Sequence, residues 1–140
     1  MRIERVQDIE VVERGSQLFD EAPDRAATER FLGSPTHHLL MAVGDDDRVL
    51  GMVTGVETTH PDKGAEMFLY ELGVDEPARG QGVGAALVEA LATLARERGC
   101  YGMWVGTEPD NIAAIATYRR AGAQEPEPFV TLTWDFDPAP

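Results

Sequence analysis

The sequence predicts an α/β fold: a mixed, mostly antiparallel sheet with helices on both faces. Three observations carry this. β-rich runs joined by tight turns fill the first half, strand–helix alternations fill the second, and an almost continuously apolar run, EMFLYELGV, joins them at Glu66–Val74. The expected order is β-α-α-β-β-β-α-β-α-β, in one domain spanning residues 1–140.

Arg2 to Val6 reads as a short first strand. Asp8 to Phe19 carries a helical stripe at Ile9, Val12, Leu18 and Phe19, which Pro23 ends. Asp24 is placed to cap a second helix through Phe31 and Leu32, stopped by Gly33 and Pro35. His38–Val43 and Arg48–Thr59 flank the turn Gly44-Asp45-Asp46-Asp47 and read as a hairpin. His60-Pro61-Asp62-Lys63-Gly64 is the next turn. Glu66–Val74 follows as a central strand expected to be buried on both faces.

From Val83 to Arg98, the residues Val83, Leu87, Leu91 and Leu94 recur at helical spacing, with Gly99 as the stop. Met103–Val105 is a short strand and Asn111–Arg120 an Ala-rich helix closed by Gly122. Phe129–Phe136 alternates Phe129, Thr131 and Thr133 against Val130, Leu132 and Trp134, the pattern of a last strand.

Composition narrows the function. The 140 residues can bury roughly two-thirds of the unfolded surface, enough to fold without a staple. Lone Cys100 excludes an internal disulfide framework and a multi-cysteine zinc site. A net charge of −13 argues against nucleic acid and an anionic membrane surface and favours cationic partners. No apolar run reaches the ~18 residues of a spanning helix. The N-terminus lacks the apolar core of a signal peptide, so the expected location is the cytoplasm.

The most informative stretch is Arg79-Gly80-Gln81-Gly82-Val83-Gly84-Ala85, between a buried strand and a long helix. Glycines there let backbone amides close on a phosphate, and the helix N-terminus adds unpaired N–H groups and partial positive charge. A dinucleotide fingerprint fits poorly, because such a motif opens its domain rather than following most of the strands. A P-loop lacks its Gly-Lys-Ser/Thr.

Arg79-x-x-Gly82-x-Gly84 resembles the acyl-CoA pyrophosphate motif of the GNAT N-acetyltransferases. Asn111-x-x-Ala114-x-x-x-Tyr118-x-x-x-Gly122 resembles their second signature. The resemblance covers residues 66–136 well and the N-terminal half by element order. It implies the GNAT fold, acetyl-CoA as co-substrate and no metal. It also implies that Leu72-Gly73-Val74 forms a splayed strand end that receives the pantetheine arm, with Gly73 tolerating a bulge. The amides of Gln81, Gly82, Val83, Gly84 and Ala85 would hold the pyrophosphate, with Gly80 in the same turn and Arg79 assisting. Asn111 and Ala114 would face the cofactor from the next helix.

Acetyl transfer to an amine needs a neutral amine, a polarised carbonyl and a protonated leaving thiolate. Asn111, Ala114, Ile115 and Tyr118 share one helical face, and the Tyr118 phenol is the candidate proton donor. The Val74 amide is the candidate donor to the carbonyl oxygen. Glu71 interrupts a run otherwise fit for burial; a buried, unpaired carboxylate has a raised pKa, which suits a general base. Exposure beside the splayed strand, or pairing with an arginine, is the other reading of Glu71.

A closer resemblance is to the family I aminoglycoside 3-N-acetyltransferases. It rests on Tyr70-Glu71-Leu72-Gly73-Val74, Gly106-Thr107-Glu108 and Trp134-Asp135-Phe136-Asp137-Pro138. It implies acceptor binding by Tyr70, Glu71, Glu108 and Asp135. Glu stands at 71 and 108 where that family has Asp, and Gly106 where it has Gln. These departures leave open a polyamine, an amino acid or a protein N-terminus as acceptor, and a catalytically silent acyl-CoA-binding module.

Other residues read as structural. His37 and His38 lack a metal-ligand partner and start a strand. Trp104 and Trp134 read as core or cleft wall, and Cys100 as a small buried hydrophobe. The expected partner is a cationic small-molecule amine; a homodimer is left open.

Overall fold

In the computed structural model, which describes residues 1–136, one five-stranded sheet holds β1 (Arg2–Arg5), β2 (His37–Val43), β3 (Val49–His60), β4 (Gly64–Val74) and β5 (Met103–Trp104), side by side in that order. The first three pairings are antiparallel and β4–β5 is parallel. The four helices are α1 (Ile9–Arg14), α2 (Arg25–Gly33), α3 (Val83–Glu97) and α4 (Ile112–Arg120).

Alternation along β2 divides the core. Leu40 and Ala42 pack with Val53, Met67 and Leu69 beneath Leu87 and Leu91 of α3. Leu39, Met41 and Val43 pack on the opposite face with Met52 and Val12, against Phe31 and Leu32 of α2. Helices therefore cover both faces, as the sequence pattern requires. Leu87 and Leu91 are fully buried, and burial of each contributes about 1.5–3 kcal/mol.

Local chemistry explains most boundaries. The Asp24 carboxylate accepts the Ala27 amide at 2.8 Å and starts α2. Asn111 Oδ1 accepts the Ala114 amide at 3.1 Å and starts α4. Gly99, at φ 80°, ends α3 in the left-handed region.

Three expectations are corrected. The helix expected over Asp8–Phe19 breaks at Gly15, and Ser16–Leu18 forms a separate 3-10 turn. A Cβ at Gly15 would lie 2.8 Å from Met41 Cε, so the chain passes too close to β2 for one continuous helix. β4 is not buried on both faces: only Met67 and Leu69 are fully buried, because β5 pairs with β4 only at Met67 and Phe68. The strand expected at Phe129–Phe136 does not form among the described residues. Pro126 and Pro128 hold the approach extended, and β5 offers a two-residue edge. Trp134 is consequently exposed, and Trp104 is half-exposed and stacked on Phe68 at 4.4 Å, so neither is core. Asp137 and Pro138 lie outside the described residues.

Candidate active site

The end of β4 owes its shape to one extra residue. Thr54 pairs with Glu71 while neighbouring Gly55 pairs with Leu69, so Tyr70 has no partner across the β3–β4 ladder. This is a β-bulge. It changes the parity of the strand: Leu69 and Leu72, three apart, both pack on the α3 side. Glu71 and Gly73 therefore face the α1 side with Thr54, and Tyr70 is turned out to 65% exposure. The bulge thus falls at Tyr70, not at Gly73. Gly73 serves close approach instead, since a Cβ there would lie 3.1 Å from the Leu18 carbonyl oxygen of the 3-10 turn.

Glu71 is half-buried, and its Oε1 accepts the Thr54 hydroxyl at 3.1 Å. It is neither the buried, unpartnered carboxylate of the first reading nor the partner of an arginine among the described residues. Sequence reasoning missed Thr54. Its signal is a hydroxyl residue within the apolar run of β3, but only the pairing register connects it to Glu71.

Among the described residues, no strand pairs with the β5-side edge of β4 beyond Phe68. Asp75 donates its amide to Leu50 at 2.8 Å. Because backbone groups alternate between edges, the Val74 N–H points the other way, into the gap between β4 and β5. Arg79 folds back so that its Nε donates to the Val74 carbonyl at 3.1 Å.

The glycine-rich loop lies at the mouth of this gap. Gly80 and Gly82 hold φ of 76° and 84°, a region that disfavours side chains, and a Cβ at either would meet nothing within 4 Å. Gly82 caps α3 without a side-chain hydrogen bond, leaving the first-turn amides of Val83, Gly84 and Ala85 without an intrahelical partner. Unpaired amides beside open space fit a pyrophosphate. At Gly84 three elements meet: a Cβ there would lie 3.2 Å from Thr117 of α4, 3.5 Å from Val74 and 3.9 Å from Leu72.

Tyr118, one residue along α4, packs on the core cluster that Leu72 and Val74 also touch. Burial pushes its phenol pKa up, so the group is protonated at neutral pH. No hydrogen-bond partner for the phenol is found among the described residues. Tyr118 lines a groove of about 730 Å³ between α3, α4, β5 and residues 121–129.

The remaining acceptor residues are less assembled. Glu108 is exposed; its backbone carbonyl accepts the Asn111 amide at 3.0 Å. Asp135 is exposed on the unpaired C-terminal segment, with no hydrogen bond or ion pair to Glu71 or Glu108 among the described residues. Asn111 itself caps α4, and Ala114 supplies the capped amide. No group of three potential metal-ligating side chains occurs among the described residues. No helix there is long and apolar enough to cross a membrane.

A second polar cluster lies away from this cleft. His38, almost fully buried, has Nε2 2.6 Å from Glu57, and Arg5 Nε donates to its Nδ1 at 3.1 Å. Arg98 adds a 2.8 Å bond to the same Glu57 oxygen. Burial lowers the His38 pKa despite the carboxylate. Burial alone would raise the Glu57 pKa, but the bonds from His38 and Arg98 outweigh it and lower it.

The cleft thus combines a glycine-rich loop at the start of α3, a bulged strand and a neighbour that parts from it. The chain belongs to the acetyltransferase (GNAT) family, whose family pattern matches residues 3–123. It is 34% identical over 101 residues to a mycothiol acetyltransferase of Jonesia denitrificans, covering 71% of this chain and 31% of that protein. An uncharacterized N-acetyltransferase of Bacillus subtilis, YycN, is 31% identical over 111 residues, covering 79% of this chain and 70% of its own length.

This chain spans about a third of the mycothiol acetyltransferases it matches. Among solved structures, AAC(6')-Iy bound to the bisubstrate analog CoA-S-monomethyl-acetylneamine superposes with a TM-score of 0.81 at 21% identity, covering 96% of this chain and 98% of that one. That likeness supports the fold. Aminoglycoside enzymes among the structural neighbours include ones named for the 6′ amine.

Proposed function

We propose that this protein transfers an acetyl group from acetyl-CoA to a primary amine of a cationic small molecule. The observation that carries the proposal is Glu71, turned by the Tyr70 bulge onto the α1 side and held by Thr54 beside the free edge of β4. In this reading the amides at Gly80–Ala85 and the Arg79 guanidinium hold the pyrophosphate. Leu72, Gly73 and Val74 present backbone to the pantetheine arm, and Asn111 and Ala114 position α4 beside it. Tyr70, Glu71, Glu108 and Asp135 attract the ammonium groups of the acceptor, consistent with a net charge of −13.

The chemistry follows from these positions. Glu71 takes a proton from the acceptor ammonium, freeing the nitrogen lone pair. The nitrogen bonds to the thioester carbonyl carbon, whose oxygen receives a hydrogen bond from the Val74 N–H. The C–S bond then breaks, the sulfur takes the Tyr118 proton, and the nitrogen, positively charged after its attack, loses its second proton to solvent. Solvent afterwards removes the proton on Glu71 and restores that on Tyr118.

Aminoglycosides are the first acceptor class to test, with 3 and 6′ products distinguished. The mycothiol acetyltransferase relatives favour a second reading, in which the acceptor resembles theirs. The test is free-thiol release from acetyl-CoA across aminoglycosides, polyamines, amino acids, peptide N-termini and the mycothiol acetyltransferase substrate. Turnover with polycationic amines supports the proposal. Turnover confined to neutral or anionic acceptors, or none with intact acetyl-CoA binding, contradicts it.

A further inference from the structure

Arg5 ends β1 and Arg98 follows α3, yet one chain of contacts fixes both. Arg5 Nε donates to His38 Nδ1 at 3.1 Å. Nδ1 is therefore an acceptor, and the ring carries its proton on Nε2, 2.6 Å from Glu57 Oε2. Arg98 Nε donates to that same oxygen at 2.8 Å. The Nη2 atoms are held too: that of Arg5 lies 3.5 Å from the His37 carbonyl oxygen, and that of Arg98 donates to the Pro35 carbonyl at 3.3 Å. Neither Nη1 has a hydrogen-bond partner among the described residues. Two guanidinium groups are thus oriented with donors to spare.

Both line one cavity of about 450 Å³. It lies where the two core layers meet. Leu32 of α2 packs on one layer and Leu94 of α3 on the other, and both join Pro35 in the cavity wall. Gln7, an exposed residue, lines it as well. The cavity shares no lining residue with the groove of Tyr118 and none with the glycine-rich loop.

Charge and shape select the ligand class. The charged groups that act on His38 are Arg5, Arg98 and Glu57. The imidazole itself is neutral, since it accepts from Arg5 at Nδ1. The cluster therefore holds one positive charge in excess, in a chain whose net charge is −13. One carboxylate balances that excess, whereas a phosphate dianion overshoots it. A planar guanidinium fork also matches a carboxylate in geometry. The cavity has the size of small-molecule sites, and Leu32, Pro35 and Leu94 offer apolar surface that an inorganic anion cannot use.

We propose that this cavity is a second binding site, separate from the acetyl-transfer cleft, for a small monocarboxylate with an apolar tail. The carboxylate bridges the Nη1 groups of Arg5 and Arg98, and the tail lies against Leu32, Pro35 and Leu94. His38 and Glu57 act as positioning residues that hold the two guanidinium groups apart and oriented. A ligand bound only by the folded chain also raises its melting temperature.

The experiment is calorimetry on the full chain at neutral pH with acetate, butyrate, hexanoate and inorganic phosphate as probes. The expected result is one hexanoate per chain, bound about tenfold more tightly than butyrate because two more methylenes are buried, with phosphate weakest. Arg5→Gln removes one guanidinium and is expected to weaken hexanoate binding about tenfold or more. Gln7→Glu leaves the cluster intact and adds a negative charge at an exposed position, so it is expected to weaken binding about threefold or more in a chain that folds as before. Gly82→Asp, in the glycine-rich loop, leaves hexanoate affinity unchanged. Absence of hexanoate binding overturns the proposal, as does affinity that does not depend on chain length. So does binding that survives Gln7→Glu undiminished, and so does binding lost with Gly82→Asp, which places the anion in the loop. None of these readouts depends on acetyl transfer.

Discussion

The Thr54 hydroxyl donates to Glu71 Oε1 at 3.1 Å across the register shift that separates Leu69 from Glu71. One unmatched residue, Tyr70, therefore decides which side of the sheet receives the carboxylate. Thr54→Val keeps the shape and removes the donor. A hydrogen bond to a charged group is worth about 1.5–3 kcal/mol, so turnover at saturating acceptor is expected to fall about tenfold or more, with the melting temperature little changed. Turnover within twofold of wild type would show that Glu71 does not depend on Thr54.

Tyr118→Phe removes a proton donor and leaves the ring packing in place. Turnover is expected to fall by about 10²–10⁴-fold with acetyl-CoA affinity nearly unchanged, measured by steady-state kinetics and calorimetry. A mutant with wild-type turnover would assign thiolate protonation to water or another group.

Gly82 holds φ 84° at the start of α3 with open space above it. Gly82→Asp brings both backbone strain and a negative charge to the proposed pyrophosphate position. Calorimetry is expected to show loss of CoA binding, with a folded protein by circular dichroism. Unchanged CoA affinity would move the cofactor elsewhere.

Much of this was legible in the sequence because it rests on local chemistry. Asp24 and Gly99 mark helix ends by capping, the turns separate the hairpin strands, and period two in β2 divides the core, whereas the capping role of Asn111 appears only in the structure. The glycine loop was legible because few other structures need such spacing before a helix. The bulge at Tyr70 was not, since register is a property of two strands and YELGV alone gives no parity. The break at Gly15 depends on Met41, 26 positions away in the chain. His38 read as an ordinary strand residue because its partners Arg5, Glu57 and Arg98 come from three other places. The period-two pattern at Phe129–Phe136 predicts a strand that does not form among the described residues, because a pattern alone does not show whether a partner edge is within reach.

The His38 cluster predicts how stability changes with pH. Burial depresses the His38 pKa from 6.5, and added protonation at Nδ1 would set an N–H against the Arg5 Nε–H. The unfolded chain takes up a proton as pH falls below 6.5 while the folded protein resists, so stability is full above that value and declines below it. Thermal melts are expected to fall between pH 7.5 and about 5.5, the region around an ordinary histidine pKa. His38→Gln is expected to cost about 1–3 kcal/mol at neutral pH and to flatten that dependence. A wild-type melting temperature that is constant or rises on acidification would contradict the neutral, buried histidine.

The most direct test of the account is Glu71→Gln, assayed by free-thiol release from acetyl-CoA with the cationic acceptor saturating. Glutamine keeps the size and the contact to Thr54 but cannot accept the ammonium proton. The expected result is a loss in kcat of about 10²-fold or more that acceptor concentration does not restore, with acetyl-CoA affinity preserved. Normal kcat with only a raised acceptor KM would contradict the central claim and leave Glu71 as a binding charge.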